Sequence, residues 1–186
     1  MSSSRKALLI VDLQVDFCPG GLYPVPDGDK TVQPMNYALA FARENGWKLY
    51  ASRDWHPKHL FENNHYDAHC VQETRGANYH PNLNIDTDVE IISKGEIIGD
   101  DHFSAFNGDE KSLEDLMKKD GVKQVYIGGL ATEYCIKYSA LDSAKRGFKT
   151  YVFEDAIRHI DQAKADAAFK AMKAAGISII KTTDLR

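Results

Sequence analysis

Six short apolar runs are spaced along the chain, at residues 7–12, 47–52, 89–93, 124–128, 150–154 and 177–181. Most are continuous rather than alternating, the pattern of strands covered on both faces. Between them lie segments with helical character at 31–45, 111–119, 132–146 and 162–175. Gly46, Gly121, Gly147 and Gly176 each follow one of these segments, where a left-handed C-terminal cap is expected. Strand, helix, glycine and strand recur in that order. The pattern predicts an α/β fold with right-handed crossovers and a mainly parallel sheet covered by helices on both faces. Two stretches break the rhythm. Residues 17–30 are rich in Gly, Pro and Asp and read as a loop. Residues 54–85 are long and hold five of the seven histidines. A structureless stretch of that length inside a compact domain usually carries function.

At 186 residues the chain reads as one domain, residues 1–186, large enough to bury a substantial core. Hydrophobic residues at 43% and charged residues at 27% are ordinary for a globular protein. The formal net charge of −4 argues against a nucleic-acid footprint and against a basic membrane patch. The apolar run after the N-terminal Met-Ser-Ser-Ser-Arg-Lys is too short to cross a membrane, and no small-residue cleavage site follows it. The expectation is a cytoplasmic protein. Three cysteines, Cys18, Cys70 and Cys135, are an odd number in a mid-sized chain, so reduced thiols are expected rather than a disulfide framework.

In open parallel sheets ligands bind beyond the carboxyl ends of the strands, so the residues just past each predicted strand are the ones to read for chemistry. Asp12 ends the first run. Asp54, Trp55 and His56 lie past the second, Lys94 follows the third, and Gly128-Gly129-Leu130 leads from the fourth to Cys135. An acid, a base and a thiol therefore converge on one edge. Thr132 is placed to cap the helix that carries Cys135, which would put the thiol in a first turn, where the positive helix end stabilises a thiolate. Free amides of the same turn could hold an oxyanion. The alternative is a packed cysteine on an inner helix face. Asp12 after a buried strand is costly unless paired or used, and could accept a thiol proton. Alone, Lys94 would read as a solvated lysine; beside Asp12 and Cys135 it would stabilise a charged thiolate. Asp54 and His56 have a spacing that suits zinc, iron or manganese, with His59, His65 and His69 downstream. His80 and His102 read as solvated.

The blocks ALLIVDLQVDFCPGG, SRDWHP, HCVQETRGANYHP, ISKG, FSAF and GGLATEYCIKYSALDSAKRGFKTYVFEDA occur in that order over nearly the whole chain. Together they resemble the nicotinamidase/pyrazinamidase branch of the isochorismatase-like cysteine hydrolases. The resemblance implies a three-layer sandwich around a six-stranded parallel sheet. It implies a triad of Asp12, Lys94 and Cys135, an oxyanion hole from the amides of Ala131 and Cys135, and a cis peptide bond between Leu130 and Ala131. It implies metal ligands Asp54, His56 and His69 holding one divalent ion, zinc first, with iron or manganese as alternatives. The implied reaction is hydrolysis of nicotinamide to nicotinic acid and ammonia through a cysteine thioester, with pyrazinamide as a further substrate and pyridine nucleotide salvage as the setting.

The sequence departs from the family pattern in three places. Relatives place a histidine four residues after the His-Pro histidine, whereas His59 comes three after His56, so His59, Glu62, His65 or water would complete the metal shell. Tyr66 stands where relatives carry tryptophan and would face Phe17 across the substrate ring. Phe103 replaces a tyrosine at the substrate pocket. The rival readings are a cysteine hydrolase of another small amide, a non-catalytic metal- or ligand-binding relative, and a zinc hydrolase using metal hydroxide. A small molecule is the expected partner, without nucleic acid or membrane, and a homo-oligomer is compatible with the helix faces.

Overall fold

The computed structural model describes residues 5–62, 67–96 and 102–186. Six strands form one sheet: β1 (Arg5–Val11), β2 (Lys48–Asp54), β3 (Glu90–Lys94), β4 (Val122–Leu130), β5 (Lys149–Arg158) and β6 (Ser178–Ile180). Their order is β3-β2-β1-β4-β5-β6, and every adjacent pair is parallel. The apolar runs thus became strands, and the mainly parallel expectation is met by an all-parallel sheet.

The sheet's two faces are separated by the alternation of side chains along each strand. Ala7, Leu9 and Val11 of β1 point to one face with Met117, Ile136, Ala140 and Met172. Leu8 and Ile10 point to the other with Met35, Ala38, Leu39 and Ala42. Helix α1 (Val32–Glu44) therefore covers one face, and α2 (Leu113–Lys119), α3 (Lys137–Lys145) and α4 (Gln162–Ala174) cover the opposite one. This is the expected three-layer sandwich. Helix α2 starts at Ser112, whose hydroxyl accepts from the Asp115 amide, and α4 starts at Asp161, whose carboxylate accepts from the Lys164 amide. The four glycines after the helices all take positive φ, between 66° and 86°. No helix among the described residues is long and apolar enough to cross a membrane.

Among the boundaries that differ from expectation, three move chemistry. Strand β2 runs two residues further, so Asp54 is its last residue rather than part of the following loop. Lys94 is likewise the last residue of β3. Helix 132–146 is split: Thr132–Ile136 forms a wide turn with Tyr134 out of helical geometry (φ −115°, ψ −107°), and regular helix begins only at Lys137. The loop stretches also contain single helical turns at Gly28–Thr31 and Lys58–Phe61.

The strand order reverses direction between β1 and β4, each of which leads outward from the sheet centre. That is the switch point where a crevice opens at the carboxyl edge. Asp12, after β1, and the Ala131–Cys135 turn, after β4, lie at this edge. Gly129 makes the close approach of these strands feasible. It adopts φ +130°, and a Cβ there would lie inside the van der Waals envelope of the Val11 carbonyl.

Candidate active site

Asp12 is fully buried and sits in the left-handed region at φ 47°. Its Oδ1 accepts a hydrogen bond from Ser52 Oγ at 2.7 Å. Its Oδ2 is 2.8 Å from Lys94 Nζ, an ion pair by distance although the alignment makes no hydrogen bond. Lys94 is also fully buried; its ammonium donates to Asp54 Oδ1 and lies 3.8 Å from Cys135 Sγ. Side chains from the ends of β1, β2 and β3 and from the turn after β4 thus meet around one ammonium. The sheet register explains this. Asp54 pairs with Lys94 across β2 and β3, and Val11 pairs with Ser52 across β1 and β2, so the strand ends are level.

The electrostatics follow from two carboxylates sharing one buried cation. Burial opposes the charge on Lys94, but Asp12 and Asp54 outweigh it and raise its pKa well above the ordinary lysine value. Lys94 therefore stays cationic. Burial would also raise Asp54, but Lys94 and the His56 contact hold it below the usual carboxylate range. Asp12 comes out differently: burial, assisted by the Asp54 charge, prevails over Lys94 and raises it. An aspartate with a raised pKa is a better proton acceptor and donor near neutrality than a solvated one.

The expectation of a thiolate stabilised by a helix end is not met. Burial, with Asp12 and Asp54 adding to it, pushes the Cys135 thiol well above its ordinary value against the pull of Lys94. Cys135 also precedes regular helix rather than sitting inside its first turn. Thr132 does not cap this segment either: Ala131 holds the cap position, and the buried Thr132 hydroxyl has no hydrogen-bond partner. The Leu130–Ala131 peptide bond is cis. The Ala131 carbonyl accepts from the amides of Tyr134 and Ile136, each at 3.2 Å, which closes the turn around Cys135.

A second cluster adjoins the first. The ligand atoms of Asp54, His56 and His69 all lie within 4.8 Å of one another. His56 Nδ1 meets the Gly95 carbonyl at 2.6 Å, and His69 Nδ1 meets the Asp67 carbonyl at 2.8 Å. A carbonyl can only accept, so each Nδ1 carries a proton and each Nε2 is left to face the cluster. His56 Nε2 is buried without a hydrogen-bond partner, 3.7 Å from Asp54 Oδ2. One carboxylate and two imidazoles aimed at a common point, one of them orphaned, form a donor set that fits a divalent transition metal. His59 and Glu62 are not part of this cluster, and His65 lies outside the described residues.

Of the three aromatic positions, Phe17 is beside the metal cluster, with its ring 5.6 Å from that of His69. Phe103 packs on Tyr134 and Tyr138, each at 5.4 Å, on the segment that carries Cys135. Tyr66 lies outside the described residues. Two aromatics not singled out from sequence also flank His69: Tyr23 at 5.2 Å and Phe61 at 5.7 Å.

Sequence reading also passed over the residues that hold the site. Gln14, fully buried, donates to the Asp54 and Ala77 carbonyls and accepts from the Asp54 amide. Gly95 supplies the carbonyl that orients His56, and a Cβ there would lie 2.5 Å from the imidazole Cε1. The one available signal was the alternation of polar residues Asp12, Gln14 and Asp16 directly after a buried strand, which by itself describes a solvent-facing edge equally well.

Residues 6–184 match the model of the Isochorismatase domain. A curated nicotinamidase from Escherichia coli is 35% identical over 96% of this chain and 96% of its own. The structure of a Pyrococcus horikoshii pyrazinamidase in complex with zinc superposes with a TM-score of 0.87 at 38% identity, covering 95% of this chain and 99% of that one. The structure of PnC1 from L. infantum in complex with nicotinate superposes with a TM-score of 0.85 at 31% identity, covering 100% and 97%. With a domain match that spans nearly every residue, on a sheet whose switch point gathers Asp12, Lys94 and Cys135, the chain belongs to the isochorismatase family.

Proposed function

We propose that this protein is a nicotinamidase, hydrolysing nicotinamide to nicotinic acid and ammonia, with pyrazinamide as a second substrate. The observation that carries the reading is the sharing of Asp54 between two clusters. One of its oxygens binds Lys94 beside Asp12 and Cys135, and the other faces His56. A site that positions a ring nitrogen is thereby held next to a thiol that can attack a carboxamide on the same ring.

Asp54, His56 and His69 would hold one divalent ion, zinc in our reading, with iron or manganese as alternatives. When bound it supplies a Lewis-acid anchor for the ring nitrogen of the substrate. Phe17 offers its ring face to the substrate. Asp12 takes the proton of the Cys135 thiol, and the sulfur forms a bond to the carboxamide carbon. The amides of Ala131 and Cys135 receive the negative charge that develops on the carbonyl oxygen. Asp12 returns its proton to the nitrogen as the C–N bond breaks and ammonia leaves. Water, deprotonated by Asp12, then attacks the thioester; the C–S bond breaks, and the acid and the thiol are released. Lys94 stays cationic throughout and keeps the transferred charge paired.

The test is ammonia release from nicotinamide by the purified protein, before and after chelation, beside Cys135→Ala. Release should require the metal, recover on adding zinc, and fall by at least about a thousandfold in Cys135→Ala, the scale of losing a covalent nucleophile. Substantial turnover by Cys135→Ala would remove the thiol from the mechanism. A metal-loaded, reduced protein inert towards nicotinamide but active on another small amide would change the substrate and keep the chemistry.

A further inference from the structure

Asp16 is a buried carboxylate that plays no part in the reaction as derived, yet it touches both the stretch that follows His69 and the stretch that carries Tyr23. It is 4% exposed. Its Oδ2 accepts from the Cys70 amide at 2.7 Å, and its Oδ1 accepts from the Leu22 amide at 3.2 Å. Its own amide donates to the Gly76 carbonyl at 3.0 Å, and its carbonyl accepts from Tyr23 at 2.9 Å. Gly76 is pressed so closely on the carboxylate that a Cβ there would overlap it.

The Cys70 contact bears directly on a metal ligand. Cys70 follows His69 and adopts φ 45°, a left-handed conformation that a non-glycine residue keeps only where its surroundings hold it. It is held on both sides. Its carbonyl accepts from the His56 amide at 3.0 Å, and its amide gives a short, charge-assisted bond to Asp16. The first contact ties the two histidines to each other, and Gln72, donating to the His56 carbonyl at 2.9 Å, reinforces it. The second fixes the direction in which the chain leaves His69. The Leu22 contact then brings Tyr23 over the His69 ring.

We propose that Asp16 is a positioning residue for the metal site: by holding Cys70 in its left-handed turn it aims His69 at Asp54 and His56, and through Leu22 it ties that ligand to the loop that covers it. The inference rests on the metal site proposed above. An anchor that only stapled loops together would contribute to stability and leave metal affinity alone. A residue that aims a ligand changes affinity by about 10–100-fold when removed, as outer-shell partners do.

The experiment is competition for zinc between the 186-residue chain and a chromophoric chelator. The chains compared are the unsubstituted protein, Asp16→Ala, Asp16→Asn and His69→Ala, with thermal melts of each in excess chelator. Asp16→Asn keeps the volume and one acceptor oxygen, so it covers the case in which Asp16→Ala does not fold. The unsubstituted chain should bind one zinc and His69→Ala should lose most of that affinity. Asp16→Ala should bind about 10–100-fold more weakly, with Asp16→Asn in between. The cobalt-loaded Asp16→Asn protein should show altered ligand-field absorption, a signature of changed ligand geometry. Zinc affinity and cobalt spectra in the Asp16 variants equal to those of the unsubstituted chain, with His69→Ala still impaired, would overturn this inference alone. Failure of the unsubstituted chain to bind zinc would overturn the metal site, and the role of Asp16 with it.

Discussion

Lys94 sets the character of the site at the scale of single residues. A buried ammonium between Asp12 and Asp54 satisfies charges that neither carboxylate could bear alone in this interior. The thiol beside it is nevertheless poised as a neutral group, because burial and the same two carboxylates oppose a further negative charge and outweigh the pull of Lys94. An observable consequence concerns alkylation of the chelated protein. Cys135 should react slowly with iodoacetamide at neutral pH, and its rate should keep rising past the ordinary thiol range, since the folded state binds its proton more tightly than a free thiol does. Cys18, where burial and the Asp29 charge push the pKa up to about 12, should behave in the same way. Mass-spectrometric rates per cysteine against pH decide the matter. Fast labelling of Cys135 at pH 7 in the chelated chain would mean that the thiolate is the resting form.

At the scale of elements, β1 and β4 must come close enough to bring Asp12 within reach of the Cys135 turn, and Gly129 is where that closeness is decided. A methyl group at Gly129 meets the Val11 carbonyl and must also adopt φ +130°. Gly129→Ala should therefore destabilise the protein by about 3 kcal/mol or more, backbone strain and overpacking together. Gly147 is the control. It has φ +86° with nothing within 4 Å of the added methyl, so Gly147→Ala should cost only about 1 kcal/mol. Urea unfolding of the two variants separates steric clash from dihedral strain. Equal losses would mean that the β1–β4 approach can relax around the methyl. The elements themselves were largely legible. The apolar runs located the strands, and each glycine after a helix marked a real left-handed cap. The irregular turn at Thr132–Ile136 was not legible, because Thr132 ahead of an amphipathic segment has the local signature of an ordinary helix start.

At the scale of the whole molecule, the residues proposed to hold the metal come from the end of β2 and from a segment that returns to it in a parallel bridge between His56 and Val71. A ligand that binds only the folded arrangement stabilises it by mass action, about 2.7 kcal/mol at free metal a hundredfold above its dissociation constant. For a chain of this size that corresponds to a rise in the melting midpoint of about 5–10 °C. Zinc should produce this rise in the unsubstituted protein and equally in Cys135→Ala, whose metal ligands are intact, but not in His56→Ala. Calorimetry with and without zinc measures it. A rise of the same size in His56→Ala would place the ion elsewhere.

The sequence by itself determined the parallel α/β architecture and where the chemistry falls along it. Continuous apolar runs have few ways to bury both faces, and residues at their carboxyl ends must gather at one edge. Residue types at the strand ends, and the resemblance carried by the ordered blocks, also pointed to Asp12, Lys94 and Cys135 and to Asp54, His56 and His69, two groups of side chains that the fold brings together. Tertiary structure alone decided that Gln14 and Asp16 face inward to hold Asp54 and Cys70 rather than face solvent. It decided too that Phe103 packs on Tyr134 while Tyr23 and Phe61 flank His69. It also set the protonation of Cys135, which depends on burial and on the sum of nearby charges. Those quantities come from residues that are far apart in the chain and become neighbours only when it folds, so no local pattern could encode them.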